Sequence, residues 1–169
     1  MKKIIVVDLD KCMSCHNCEI FCAVAHANDK DLYKAVQESP KPENRMILEK
    51  LENRTMPLHC RHCEDAPCLS CCPKNAISRL SSSDPVIIDN EKCIGCQKCI
   101  RICPFGVIRK SRHNKVVIKC DLCIERLELG KDPACVEACP TKSIQYLISE
   151  KANEFKDKKY LVCLKKNNL

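Results

Sequence analysis

Cys93-Ile94-Gly95-Cys96-Gln97-Lys98-Cys99-Ile100-Arg101-Ile102-Cys103-Pro104 reads C-x2-C-x2-C-x3-C-P with every position in place. Cysteines three apart turn a loop around one centre, so three thiolates converge on a cubane iron–sulfur cluster. The fourth must come from elsewhere in the chain, because the last cysteine of such a run ligates the other cluster of a pair. The stretch therefore predicts a second motif that exchanges its last cysteine with this one. Three candidates exist.

The first is Cys12-x2-Cys15-x2-Cys18-x3-Cys22. It lacks the proline and runs on as Ala23-Val24-Ala25-His26-Ala27, a composition that favours a helix. Cys18 and Cys22 share a helix face there, yet can address different centres above and below. The second is Cys60-x2-Cys63-x4-Cys68-x3-Cys72-Pro73, and the last is Cys120-x2-Cys123-x11-Cys135-x3-Cys139-Pro140. The long gap in the last motif, IERLELGKDPA, suits one or two helical turns ended by Gly130. After each Cys-Pro a proline turn leads into a small or apolar pair: Ala76-Ile77, Val107-Ile108 and Ser143-Ile144.

Residues 2–10, 86–89 and 116–118 read as strands entering the first, third and fourth motifs. Residues 29–38 suit a short helix broken by Ser39-Pro40-Lys41-Pro42, and 45–51 read as a strand. The repeating unit is thus strand, cysteine loop, short helix and return strand. Two units make one two-cluster module, and four make two. The fold class expected is α+β.

Composition bounds the chemistry. The chain has 169 residues and 18 cysteines, far above ordinary usage. Disulfides need an oxidising compartment. The apolar run Ile4-Ile5-Val6-Val7 ends at Asp8, too short for a signal-peptide core, and no apolar stretch suits a membrane span. A reduced, cytoplasmic protein is expected. With no Trp, three Phe and three Tyr, the apolar core is thin, and metal coordination is expected to supply folding free energy. The formal charge is +7 with thiols neutral. Four oxidised cubanes on sixteen thiolates bring it to about −1, so the lysines and arginines read as counter-charge for clusters. No nucleic-acid partner is expected, since no aromatic–basic surface pattern accompanies the charge.

Zinc sites use two C-x2-C pairs or Cys/His mixtures; triplets with a remote fourth cysteine, as in the first and third motifs, do not suit them. A structural zinc protein is the remote alternative. Cys71 and Cys163 exceed four cysteines per cluster and read as free thiols. His16 reads as a loop residue, His26 as a helix-surface residue, and His59 and His62 flank Cys60 with no assigned role. Phe105 is expected to pack over a cluster. No nucleophile–base pair, G-x-G-x-x-G or P-loop is present, and only three glycines occur, so no catalytic site is expected.

The four motifs in this order resemble the four-cluster ferredoxin-like electron-transfer subunits that serve molybdopterin oxidoreductases, formate dehydrogenases, hydrogenases and carbon monoxide dehydrogenase. The match covers roughly residues 2–147, and CDLCIERLELGKDPACVEACPTKSI looks like the family's fourth motif throughout. The stretch CHNCEIFCAVAH looks most like the subunit that takes electrons from nickel–iron carbon monoxide dehydrogenase. The resemblance implies exchange of cysteines between motifs one and four, and between two and three. One cluster would be held by Cys12, Cys15, Cys18 and Cys139, and another by Cys120, Cys123, Cys135 and Cys22. A third would use Cys60, Cys63, Cys68 and Cys103, and a fourth Cys93, Cys96, Cys99 and Cys72.

Four [4Fe-4S] clusters follow as the expected cofactors. Two bacterial-ferredoxin-like modules with pseudo-two-fold symmetry are implied: residues 1–55 plus 115–150, and residues 56–114, with a lysine-rich tail over 151–169. The implied function is single-electron relay, without an active site of its own, between a catalytic redox enzyme and an acceptor such as a hydrogenase. Carbon monoxide dehydrogenase is the first choice of enzyme. The alternatives are a free-standing soluble polyferredoxin and a subunit of a hydrogenase, formate dehydrogenase or molybdopterin enzyme. Membrane-bound relatives carry long insertions or a C-terminal membrane helix; neither is seen here, so no membrane anchoring is expected.

Overall fold

The computed structural model describes residues 3–51 and 54–152. The chain enters through β1 (Lys3–Val7), rich in β-branched residues. The strand expected over 2–10 is shorter than read, because Asp8 stops it. Its carboxylate accepts the Asp10 N–H at 3.2 Å and starts a 3-10 turn over Leu9–Lys11. Past the first cysteine loop come α1 (Asn17–Ala25) and α2 (Leu32–Gln37), the latter capped by Asp31, which accepts the Lys34 N–H at 3.1 Å. A hairpin follows, β2 (Ile47–Leu51) and β3 (Arg54–Leu58). The strand β3 has no counterpart in the sequence reading. It contains Pro57, which argues against a central strand but is tolerated in a ribbon with free edges.

Short elements then frame the remaining loops: α3 (Pro67–Ser70), β4 (Ile77–Ser78), β5 (Ile87–Ile88), α4 (Lys98–Ile102), β6 (Arg109–Lys110) and β7 (Val117–Ile118). The chain continues through α5 (Ile124–Glu128), α6 (Ala134–Glu137) and β8 (Ile144–Ile148). The eleven-residue gap of the last motif thus holds α5, and Gly130 beyond it takes φ +70°, a conformation that suits the end of a helix.

Among the described residues the sheets are four antiparallel pairs: β1–β8, β2–β3, β4–β5 and β6–β7. The β1–β8 pair joins the two ends of the described chain, from Lys3 opposite Ile148 to Val7 opposite Ile144. It is extended by the Asp8 N–H to Ser143 O at 2.8 Å and the Ser143 hydroxyl to Asp8 O at 2.7 Å, both residues buried. The helices pair to match, α1 on α6 and α3 on α4. Motif one therefore faces motif four, and motif two faces motif three.

Two larger apolar cores and two smaller clusters result among the described residues. Ile5, Met46, Leu122, Val136 and Ile144 surround the first, with Cys18, Cys22, Cys135 and Cys139 among them. Ala66, Ile77, Val86, Ile108 and Val117 form the second around Cys99. Polar ties cross between segments distant in the chain. The Glu43 carboxylate accepts the Ser111 hydroxyl at 2.5 Å and the Arg112 N–H at 2.9 Å, and Arg109 donates to the Asn44 carbonyl. The β6–β7 pair likewise links residues 109–110 to 117–118. Cys163 and the remaining tail lie outside the described residues. No helix among the described residues is long and apolar enough to cross a membrane.

Candidate metal centres

Each cysteine loop is bent by a left-handed residue just before its second cysteine: Ser14, His62, Gly95 and Leu122, with φ of 57°, 46°, 65° and 64°. Only one is glycine. A left-handed L-residue costs roughly 1–2 kcal/mol, which the rest of the folded structure has to offset at three of the four loops. A second shared bend lies four residues into each Cys-Pro turn, at Asn75, Gly106 and Lys142, whose N–H groups each donate to the cysteine carbonyl at 3.2 Å. Motif one, with no proline, continues instead as the helix α1.

These bends gather the cysteines in sets. Cys72, Cys93, Cys96 and Cys99 line one hollow of about 340 Å³. Cys60, Cys63, Cys68 and Cys103 line another of about 330 Å³, with Phe105 on its wall. Cys12, Cys15, Cys18 and Cys139 line a third of about 300 Å³, closed on one side by Leu48 and Pro57 of the hairpin. Cys22, Cys120, Cys123 and Cys135 are all buried and lie within electrostatic range of one another. Cys71 lines none of the three hollows; its thiol donates to the Cys68 carbonyl at 3.4 Å.

The donor chemistry fits [4Fe-4S] cores. Each hollow offers four sulfurs, mostly apolar walls and no carboxylate. Backbone N–H groups aim at sulfur: Arg45 at Cys22 (3.1 Å), Ala76 at Cys72 (3.3 Å), and His62 at Cys60 and Leu122 at Cys120 (both 3.4 Å). Such donors stabilise negative charge on the ligand sulfurs. Burial pushes the Cys18 thiol up to about 12 and the Cys99 and Cys123 thiols up to about 11. Thiols buried in this way become thiolates only against a strongly cationic core.

The cores also order the sets in a row. Cys18 and Cys139 of one set share an apolar cluster with Cys22 and Cys135 of the next. Cys120 then meets Cys60 and Cys103. Cys68 and Cys103 meet Cys72, Cys93 and Cys99. Cys15 and Cys96, in the two end sets, are the exposed cysteines of the motifs.

The histidines divide sharply. His16 is the exposed loop residue expected and pairs with Glu19 at 2.7 Å. His26 is not a surface residue of the helix: its side chain is 13% exposed and it ties α1 to the last motif. Its Nδ1–H donates to Cys22 O at 2.6 Å and its Nε2–H to the Asp121 carboxylate at 3.2 Å. Burial opposes the charged ring, but these hydrogen bonds outweigh it and push His26 up to about 9. The spacing of Cys22 and His26 was visible, but Asp121 is 95 residues away. Asp121 also pairs with Arg45 and accepts the Cys123 N–H at 3.0 Å. Asp121→Asn is expected to destabilise the cluster-loaded protein by about 1–3 kcal/mol, measured as an earlier urea midpoint for bleaching of cluster absorbance.

His59 and His62 are buried, at 2% and 5% exposure. Burial, reinforced by the Arg61 charge, pushes His59 down to about 3. Burial, reinforced by Lys119, does the same to His62, whose Nδ1 accepts the Val86 N–H at 3.0 Å. Sequence reading missed three contributors: Arg45 beside Cys22, the carboxylate of Glu19, which accepts the Leu48 N–H at 3.0 Å, and the buried Lys119. Nothing local marks the first two. Lys119 at least follows a β-branched run and directly precedes the first cysteine of the last motif.

Residues 51–148 match the family described as "4Fe-4S dicluster domain". The chain belongs to this family. Among similar proteins, a putative electron transport protein, YsaA, of Escherichia coli is 41% identical over 153 residues, covering 89% of this chain and 93% of that one. An iron-sulfur protein of Rhodospirillum rubrum is 39% identical, covering 84% and 80%. The electron transport protein HydN of Escherichia coli is 38% identical, covering 85% and 87%. The chain is thus an electron-transport iron–sulfur protein, non-catalytic, with four [4Fe-4S] clusters as cofactors.

Proposed function

We propose that this chain relays single electrons along a row of four [4Fe-4S] clusters between a catalytic redox enzyme and an acceptor. Each cluster, when bound, takes up one electron and gives it back. The observation that carries the reading is the row itself: four cysteine sets joined pairwise by shared apolar cores, with an exposed cysteine at either end. Ligands follow the exchange: Cys12, Cys15, Cys18 with Cys139; Cys120, Cys123, Cys135 with Cys22; Cys60, Cys63, Cys68 with Cys103; Cys93, Cys96, Cys99 with Cys72. The chain's own groups hold the sulfurs, exclude water with apolar walls and donate N–H bonds that tune potential. The pairing of β1 with β8 and of α1 with α6 supports two ferredoxin-like modules, one from motifs one and four.

For the enzyme, carbon monoxide dehydrogenase is the first reading, supported by the resemblance of the stretch CHNCEIFCAVAH. The acceptor is a hydrogenase or another oxidoreductase, and the setting is the cytoplasm. The test is an anaerobic pull-down from native cells with mass spectrometry. Co-elution of carbon monoxide dehydrogenase is the expected result. Recovery of a hydrogenase, formate dehydrogenase or molybdopterin enzyme keeps the relay and overturns that choice. A lone protein at low salt favours the free-standing polyferredoxin. Removing iron with a chelator under reductant is expected to unfold the chain, seen as loss of far-ultraviolet circular dichroism, because the loops hold left-handed residues and little else in common.

A further inference from the structure

Lys119 is 3% exposed, whereas every other lysine among the described residues is exposed. It connects β7 to Cys120. Its ammonium donates to the Cys120 carbonyl at 2.9 Å and to the Val86 carbonyl, both neutral acceptors. Among the described residues no ion pair offsets it; the nearby Asp121 is committed to His26 and Arg45. A buried ammonium without a counter-ion is costly, so the charge needs an anion beside it.

The surroundings name that anion. Val86 packs on the wall of the hollow lined by Cys60, Cys63, Cys68 and Cys103. Cys120 belongs to the neighbouring set, and it meets Cys60 in one apolar cluster. The Val86 backbone is held from both sides, its N–H by His62 and its carbonyl by Lys119. Lys119 thus lies between Cys120 of one set and the hollow of the other, and its charge adds to burial in disfavouring a charged His62. A cubane with its four thiolates is anionic and gains one more negative charge on reduction. A fixed cation between two such groups favours the reduced form of both.

We propose that Lys119 is a fixed positive charge shared by the two inner cysteine sets, raising the reduction potentials of both clusters and easing electron passage across the seam between them. Lys119 is a positioning residue for charge, not a ligand. The proposal rests on the relay and ligand reading above, which the iron content of Cys→Ser variants tests separately.

The test is an EPR-monitored potentiometric titration of the whole protein at fixed pH. Lys119→Gln keeps a donor for the Val86 carbonyl but removes the charge. It is expected to bind about sixteen irons and to lower two of the four midpoint potentials, leaving the other two in place. Lys119→Arg is expected to return both toward wild type. Four unmoved potentials in a fully loaded Lys119→Gln, or four that fall together, overturn the proposal and leave the relay standing. If Lys119→Gln fails to load, Lys119→Arg decides. Full iron with wild-type potentials shows that charge is what the site requires, and loss of iron in that variant as well shows that shape is, which overturns the proposal.

Discussion

Cys22→Ser is expected to strip about four of roughly sixteen irons from the protein, and to strip them from motif four. Cys22 sits on α1, seven residues of sequence from Cys15, yet it lies within electrostatic range of Cys120, Cys123 and Cys135 of the last motif. It is 4% exposed in a core that also holds Val136 and Leu122, and it receives the Arg45 N–H at 3.1 Å. A serine there leaves three thiolates facing an iron core with no fourth. It also cuts the metal link between α1 and α6. Double variants read the exchange directly by iron and sulfide analysis. Adding Cys120→Ser to Cys22→Ser is expected to remove no further iron, because both serve one site. Adding Cys12→Ser is expected to double the loss to about eight irons. The reverse pattern would assign Cys22 to its own motif and end the exchange reading.

Gly95→Ala is expected to lose the cluster of Cys72, Cys93, Cys96 and Cys99, while Gly106→Ala keeps all four. Both glycines are left-handed, at φ +65° and +60°, so both substitutions carry roughly 1–2 kcal/mol of backbone strain. That strain alone is bearable, since Ser14, His62 and Leu122 take the same conformation in the equivalent position of the other loops. The difference is what a Cβ meets. At Gly106 nothing lies within 4 Å, whereas at Gly95 it falls 2.9 Å from the Lys115 carbonyl carbon and nearer still to the oxygen. The obstacle is backbone on the approach to β7, not a flexible side chain. Relief requires the loop or that segment to move, and the loop carries Cys93, Cys96 and Cys99, the three ligands proposed for that cluster. Iron content and thermal midpoint of the two variants, compared side by side, check this. Equal behaviour would mean that the loop yields without cost.

Much of the molecule was legible from spacing. The cysteine loops, the helix through Cys18 and Cys22, the turn after each Cys-Pro and the strands entering the motifs are local. Each depends on residues within about ten positions, and cysteine, proline and β-branched runs mark them plainly. The misreadings have a common cause. The strand over 2–10 stops at Val7 because a carboxylate two residues from its target caps a turn. His26 looked like a surface residue because its partner, Asp121, arrives from the last motif. The hairpin strand Arg54–Leu58 carries a proline that sequence rules read as a break. Lys119 looked like one more basic residue among 29, and only packing shows that it is enclosed.

What the sequence by itself determined is the ligand chemistry: sixteen cysteines at spacings that suit cubane clusters, and no company for catalysis. What only the tertiary structure decided is the adjacency of the motifs in space, which spacing leaves open and the family resemblance only implied. The β1–β8 pair and the packing of α1 on α6 bring the last cysteine of motif one to motif four, and place the sets in a row with a lysine at the inner seam. The physical reason is range. Ligand type and loop curvature are set by neighbours along the chain, whereas the order of the sets and the charge between them depend on segments that meet from about thirty to more than a hundred residues apart.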